Sequence, residues 1–201
     1  MVADDEREFS YDENSPNGPA HWGEIRPEWS ECNSGQMQSP IDLLSERVEI
    51  VSNFGRLKRG YNPSNATLIN RGHDMMSHDN RTAVIGIMYK IGRPDSFLSE
   101  MQRELEAVAQ THEVEHSVGV VNPRQIKFGS RKYYRYIGSL TVPPCTQNII
   151  WTMVRKVRTV SREQVRVIRE AVHDDSEANS RPIQQLHDRS IDLFRPKDRF
   201  N

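Results

Sequence analysis

Tyr136-Ile137-Gly138-Ser139-Leu140-Thr141-Val142-Pro143-Pro144-Cys145, running on to Trp151, is the stretch on which the reading of this chain turns. It lies between two segments that read as strands, Tyr133–Ile137 and Asn148–Val154, both rich in β-branched and aromatic residues. Upstream, Val48–Val51 and Ala66–Ile69 read as short strands. Ala83–Ile91 is a continuous apolar run rich in β-branched residues, which suits a central strand buried on both faces. Two helices punctuate the strands. Ser96–Gln110 carries Phe97, Met101, Leu105, Val108 and Ala109 at near-helical spacing, with Asp95 or Ser96 able to cap it. Ser161-Arg162-Glu163-Gln164 is a capping box opening a second helix, with Val165, Ile168 and Val172 on one face. Residues 1–17 form an acidic arm expected to be irregular, although His21-Trp22-Gly23 and Trp29 put aromatics next to it that suit packing on a core. The tail from Arg181, with Pro182 and Pro196, is expected to be mostly extended.

The bulk properties narrow the function classes. The chain has 201 residues, a length that suits one domain, here expected over 18–198. Hydrophobic residues make up 35 % and charged residues 27 %, with a net charge of −1 and the basic residues dispersed. That balance gives no reason to expect nucleic acid or an anionic membrane as a partner. The longest apolar run is far shorter than the roughly 20 residues of a membrane span. The N-terminus is acidic and polar, unlike a secretory signal. The sequons Asn65-Ala66-Thr67 and Asn80-Arg81-Thr82 and the cysteines Cys32 and Cys145 point the other way, toward the secretory route.

Three blocks fall in a telling order. Gly18-Pro19-Ala20-His21-Trp22-Gly23 leads to Gln38-Ser39-Pro40-Ile41-Asp42-Leu43. Asn70-Arg71-Gly72-His73 follows, and the Tyr136–Cys145 stretch comes last. Together they resemble the α-carbonic anhydrases, most closely the plant branch. Weaker likeness through Ala83-Val84-Ile85-Gly86 and Thr159–Gln164 to Arg181-Pro182 extends the resemblance over nearly the whole chain. It implies a mostly β fold with surface helices: a twisted, mainly antiparallel sheet. It also implies a secreted or plastid protein reached by the secretory route, with a Cys32–Cys145 disulfide worth roughly 4–5 kcal/mol in the chain-entropy model.

The family's chemistry is hydration of carbon dioxide to bicarbonate at a zinc held by three histidines. Two of them sit as His-x-His on one strand, where alternation aims both rings at one ion, and the third lies on the next strand. Three neutral imidazoles leave the fourth position to a water whose pKa falls to about 7. In this chain Gly72-His73-Asp74-Met75-Met76 runs almost directly into Ser77-His78-Asp79-Asn80-Arg81-Thr82-Ala83. The zinc-ligand strands of the family belong between these segments, so the sheet is expected to be truncated by the loss of central strands. The seam falls near Met76–Ser77. The seven histidines, His21, His73, His78, His112, His116, His173 and His187, include no His-x-His pair. No metal ligand and no zinc are therefore expected, and the chain is expected to be inactive. The loss also leaves Ala83–Ile91 to find a new partner or become an apolar edge.

What remains of the family site is expected at a few positions. His73 matches the proton shuttle, a role suited to an imidazole that titrates near 6.5, and without zinc it reads as an ordinary surface histidine. Thr141 matches the threonine that orients zinc-bound hydroxide, and Tyr11 matches a tyrosine that holds the active-site water chain. Val84, Leu140 and Trp151 match positions lining the carbon dioxide pocket, or serve as plain core. Val142 replaces a second threonine beside that pocket. His112-Glu113-Val114-Glu115-His116 spells the H-E-x-x-H zincin signature. Its polar setting after the helix favours an exposed helix end or loop, with protease chemistry or adventitious metal binding as the alternatives. Three readings stand: a catalytically dead relative, a live enzyme with a rebuilt zinc site, and a binding or storage protein of the kind some plant relatives provide.

Overall fold

A computed structural model describes residues 8–43, 46–55, 57, 63–69, 83–111, 115–172 and 179–197. In chain order the elements are the short helices α1 (Trp22–Ile25) and α2 (Glu31–Ser34), strands β1 (Val48–Val51), β2 (Ser64–Ile69) and β3 (Ala83–Ile91), helix α3 (Ser96–Thr111), strands β4 (Glu115–Val121), β5 (Tyr133–Ser139) and β6 (Gln147–Val160), helix α4 (Arg162–Val172) and strand β7 (Ile191–Phe194). Five strands make one mixed sheet in the order β1-β7-β5-β6-β3, and β2 and β4 pair as a separate two-stranded ribbon. The pairings of β5 with β6, β5 with β7, and β2 with β4 are antiparallel. Those of β1 with β7 and β3 with β6 are parallel. The fold is mainly β with a few helices, as the sequence leads one to expect.

The helix starts were legible in detail. Gln164 N–H donates to Ser161 Oγ (3.1 Å) and Ser161 N–H donates to Gln164 Oε1 (3.2 Å), which is the reciprocal pattern of a capping box. Asp95 caps α3, with Oδ1 accepting from the amides of Phe97 (2.9 Å) and Leu98 (3.2 Å). The same Gln164 side chain also accepts from the Asp95 amide and donates to the Asp95 carbonyl, both at 2.9 Å, so the two helix starts are fastened to each other. The buried stripe of α4 runs through Gln164, Val167 and Ala171, while Val165 and Ile168 are only half-buried. The stripe is shifted by one position from the expected Val165 and Ile168, and Gln164 at its head is held inward by its bonds to Asp95.

Two expectations are corrected. Ala83–Ile91 forms a strand over those same residues, but among the described residues it pairs only with β6 and ends the sheet. Ala83, Ile85 and Ile91 are exposed, so the strand is not buried on both faces. An apolar run records what a strand can bury, not whether a second neighbour is there to bury it. Glu115 and His116 open β4, paired with Ile69 and Leu68, rather than a helix end or loop. That pairing reaches far along the chain and leaves no local signature. The C-terminal tail is extended, as expected, and its strand β7 lies between β1 and β5. Within the arm, Phe9 and Tyr11 pack on a core cluster of Trp22, Trp29, Cys32 and Cys145.

Candidate functional site

The segment after β5 positions the residues that matter. Ser139, Leu140, Val142 and Cys145 are all buried. The turn is closed by Cys145 N–H donating to Val142 O (2.8 Å) and Leu140 N–H donating to Thr146 O (2.9 Å). Cys145 is bonded to Cys32, with their Cα atoms 5.0 Å apart. The turn is thereby clamped to α2, as the family resemblance implies.

A buried polar network lies under this turn. Ser39 N–H donates to Ser139 Oγ (2.9 Å), Ser139 N–H donates to Ser39 Oγ (3.1 Å), and Ser39 Oγ meets Tyr136 Oη at 3.3 Å. Arg181 is 4 % exposed. Its guanidinium donates to Gln38 Oε1 (2.7 Å), Ser39 O (3.0 Å) and Cys32 O (2.6 Å), and it lies over the Trp22 ring. Burial pulls the Arg181 pKa down to about 10, offset in part by Tyr11. Burial pushes the Tyr136 hydroxyl up, opposed by its contact with Ser39 and by Arg189. Gln38, Ser39, Ser139, Tyr136 and Arg181 all stand inside the sequence blocks quoted above, but their linkage across some 100 to 150 residues was not readable there.

The cross-strand register brings several expected site residues together. Val84 is the partner of Trp151, and Trp151 is the partner of Tyr136, so the three sit in a row on one sheet face. The Tyr136 and Trp151 rings stack at 6.3 Å with 5° between planes. Trp151 Nε1–H donates to Ser139 O at 2.8 Å, tying this row to the turn. Leu140 and Val142 are buried and Thr141 is half-buried in the same turn. Tyr11 is elsewhere, edge-on to Trp22 at 5.4 Å. Asn65 lies in β2 opposite Val120. His73, Asn80 and the seam at Met76–Ser77 lie outside the described residues.

The family's zinc is a demanding test for such a site. Among the described residues no three His, Cys, Asp or Glu side chains gather where a metal ion could be held. His21 faces Glu24 at 3.2 Å, and His116 faces Glu104 of α3 at 3.0 Å. His116 stands on a strand, away from the helical setting that H-E-x-x-H chemistry requires. His112 and Glu113 lie outside the described residues, as do His78 and His173. The described residues do not fit a zinc held by three imidazoles.

The profile of the eukaryotic-type carbonic anhydrases matches residues 74–194. The chain is 47 % identical to alpha carbonic anhydrase 7 of Arabidopsis thaliana over 239 aligned positions, covering 96 % of this chain and 87 % of that protein. It is 36 % identical to dioscorin DB3L of Dioscorea polystachya, covering 98 % and 89 %. Dioscorin complexed with ascorbate superposes with a TM-score of 0.86 at 33 % identity, covering 95 % and 99 % of the two chains. The alpha-carbonic anhydrase of Thermovibrio ammonificans, in complex with the inhibitor sulfanilamide, superposes at 0.66 with 23 % identity, which supports the fold alone. An alignment of 239 positions exceeds the 201 residues available, so the Arabidopsis relative carries residues without a counterpart here. The chain belongs to the α-carbonic anhydrase family, whose zinc-dependent reaction interconverts carbon dioxide and bicarbonate.

Proposed function

We propose that this chain is a non-catalytic member of its family, a sheet scaffold that has kept the core beneath the active site but not the zinc ligands. The observation that carries this reading is the sequence itself: seven histidines and no His-x-His pair, in a chain shorter than its alignment to the Arabidopsis relative. On this reading Thr141, Val84, Leu140, Val142 and Trp151 are packing residues, Tyr11 belongs to the aromatic cluster around Trp22, and His73 has no proton to relay. The unit is a single domain over 18–198 preceded by an arm. The Cys32–Cys145 bond supports a life on the secretory route, with Asn65 and Asn80 as glycan acceptors.

Zinc content by mass spectrometry of the purified chain, together with carbon dioxide hydration on the same sample, tests the proposal. The expected result is well under one zinc per chain and hydration at the uncatalysed rate. One tightly held zinc per chain with sulfonamide-sensitive hydration would overturn it and indicate a rebuilt site, with His73, His78, His112 and His116 the first residues to replace. A binding or storage role is a second reading. It is favoured by the TM-score of 0.86 to a dioscorin structure that contains ascorbate.

A further inference from the structure

Among the described residues the outer edge of β3 has no partner strand, and its residues indicate what would pair there. Natural sheet edges are protected by charges, prolines, bulges or shortness. From Ala83 to Ile87 this edge has no charge, no proline and no bulge, and its irregularity falls later, between Ile87 and Tyr89. The opposite edge, β1, is only four residues long and carries Glu49. On the face of the sheet away from Trp151, Ile137, Ile150 and Ala83 are register partners and form an apolar row leading to the β3 edge. Ile137 is 41 % exposed and Ile85, one step along the same face, 38 %.

We infer that β3 pairs with β3 of a second copy of this chain, antiparallel and about a two-fold axis near the middle of the strand. Charge selects this arrangement. Lys90 is the only charged residue of β3 and stands near its C-terminal end. An antiparallel pairing sets each lysine opposite the uncharged Ala83–Ile85 end of the other copy, whereas a parallel pairing would stack lysine on lysine. A two-fold contact needs a surface that complements itself, and the uncharged strip with its apolar row does so. The pairing joins two five-stranded sheets into one of ten, fuses the two apolar rows, and consumes the open edge of both copies. Assembly therefore stops at two.

Light scattering after gel filtration, combined with hydrogen exchange, tests this on the full chain. At about 100 μM, well above micromolar dissociation constants, a dimer is expected. The amides of 83–91 should gain protection as concentration rises, and those of β1 should not. Ile85→Lys replaces an exposed side chain with an edge-protecting charge and should weaken the dimer by at least about tenfold. Ile50→Lys, at an exposed β1 position, should leave it unchanged. A monomer at that concentration would overturn the proposal. So would a dimer whose protection lies outside 83–91, or one indifferent to Ile85→Lys. Hydrogen exchange on the unsubstituted chain decides the matter even if a variant fails to fold.

Discussion

Tyr136 shows how much chemistry a single side chain can hold without catalysis. Its ring stacks on Trp151 and its hydroxyl meets Ser39, both within the core. Burial raises the pKa of this phenol, and burial raises those of Tyr133 and Tyr89 as well. A phenol that ionises near 10 when unfolded but later when folded gives stability that is complete below pH 10. That stability is lost as the pH climbs through the raised folded value. The urea midpoint is therefore expected to fall above pH 10. Absorbance at 295 nm should show these three of the six tyrosines ionising later than a free phenol. Ionisation of all six near 10 with no loss of stability would contradict this. The motif residues Ser139, Gln38 and Arg181 were visible in the sequence as letters in a block. Their roles were not, because a hydrogen bond between residues 38 and 181 leaves no mark on either neighbourhood.

Among the elements, α3 and α4 were the most legible, since capping is local and the residues that do it lie within a turn of one another. What the sequence did not announce is that the caps are shared. Asp95, with a fully buried side chain, caps α3 and also forms an ion pair with Arg158 of β6, itself 13 % exposed. Arg158 lies over the Tyr89 ring, and Tyr89 Oη–H donates to Asp95 at 3.4 Å. Asp95→Ala is expected to remove a cap and strand a mostly buried guanidinium, at a cost of about 3 kcal/mol or more. Chemical denaturation measures this directly. Asp95→Asn, which keeps the cap but not the charge, should cost less. Equal costs for the two variants would place the whole effect in the ion pair. The β4 strand was missed because its partner, β2, lies about 50 residues upstream and neither strand alternates strongly.

For the whole molecule, the disulfide is the dominant covalent constraint. It closes a loop spanning 113 positions, and the chain-entropy model assigns such a loop roughly 4–5 kcal/mol. The Cys32→Ser/Cys145→Ser double variant should lose about that much, measured by urea unfolding against the oxidised chain. A loss below about 1 kcal/mol would mean that the denatured chain is already constrained there. The pairing itself was expected from family likeness. Membership of the family was legible from three short blocks, and the expected truncation of the sheet rested on the nine residues that separate His73 from Ala83. The mixed strand directions were not legible, because they depend on which distant strands meet.

The place of β7 in that sheet bears on how the protein is made. Ile191–Phe194 slots between Val48–Val51 and Tyr133–Arg135, so among the described residues β1 reaches the sheet only through a strand some 140 residues downstream. A nascent chain on the ribosome can form β5 against β6 early, but it cannot seat β1 until Phe194 has left the exit tunnel. Closure of the sheet is thus a late event of high contact order. Throughout synthesis the apolar β3 edge waits beside an unfinished sheet. A stop codon placed before Ile191 would remove four residues of strand and, with them, the only described pairing that holds the N-terminal strand in place.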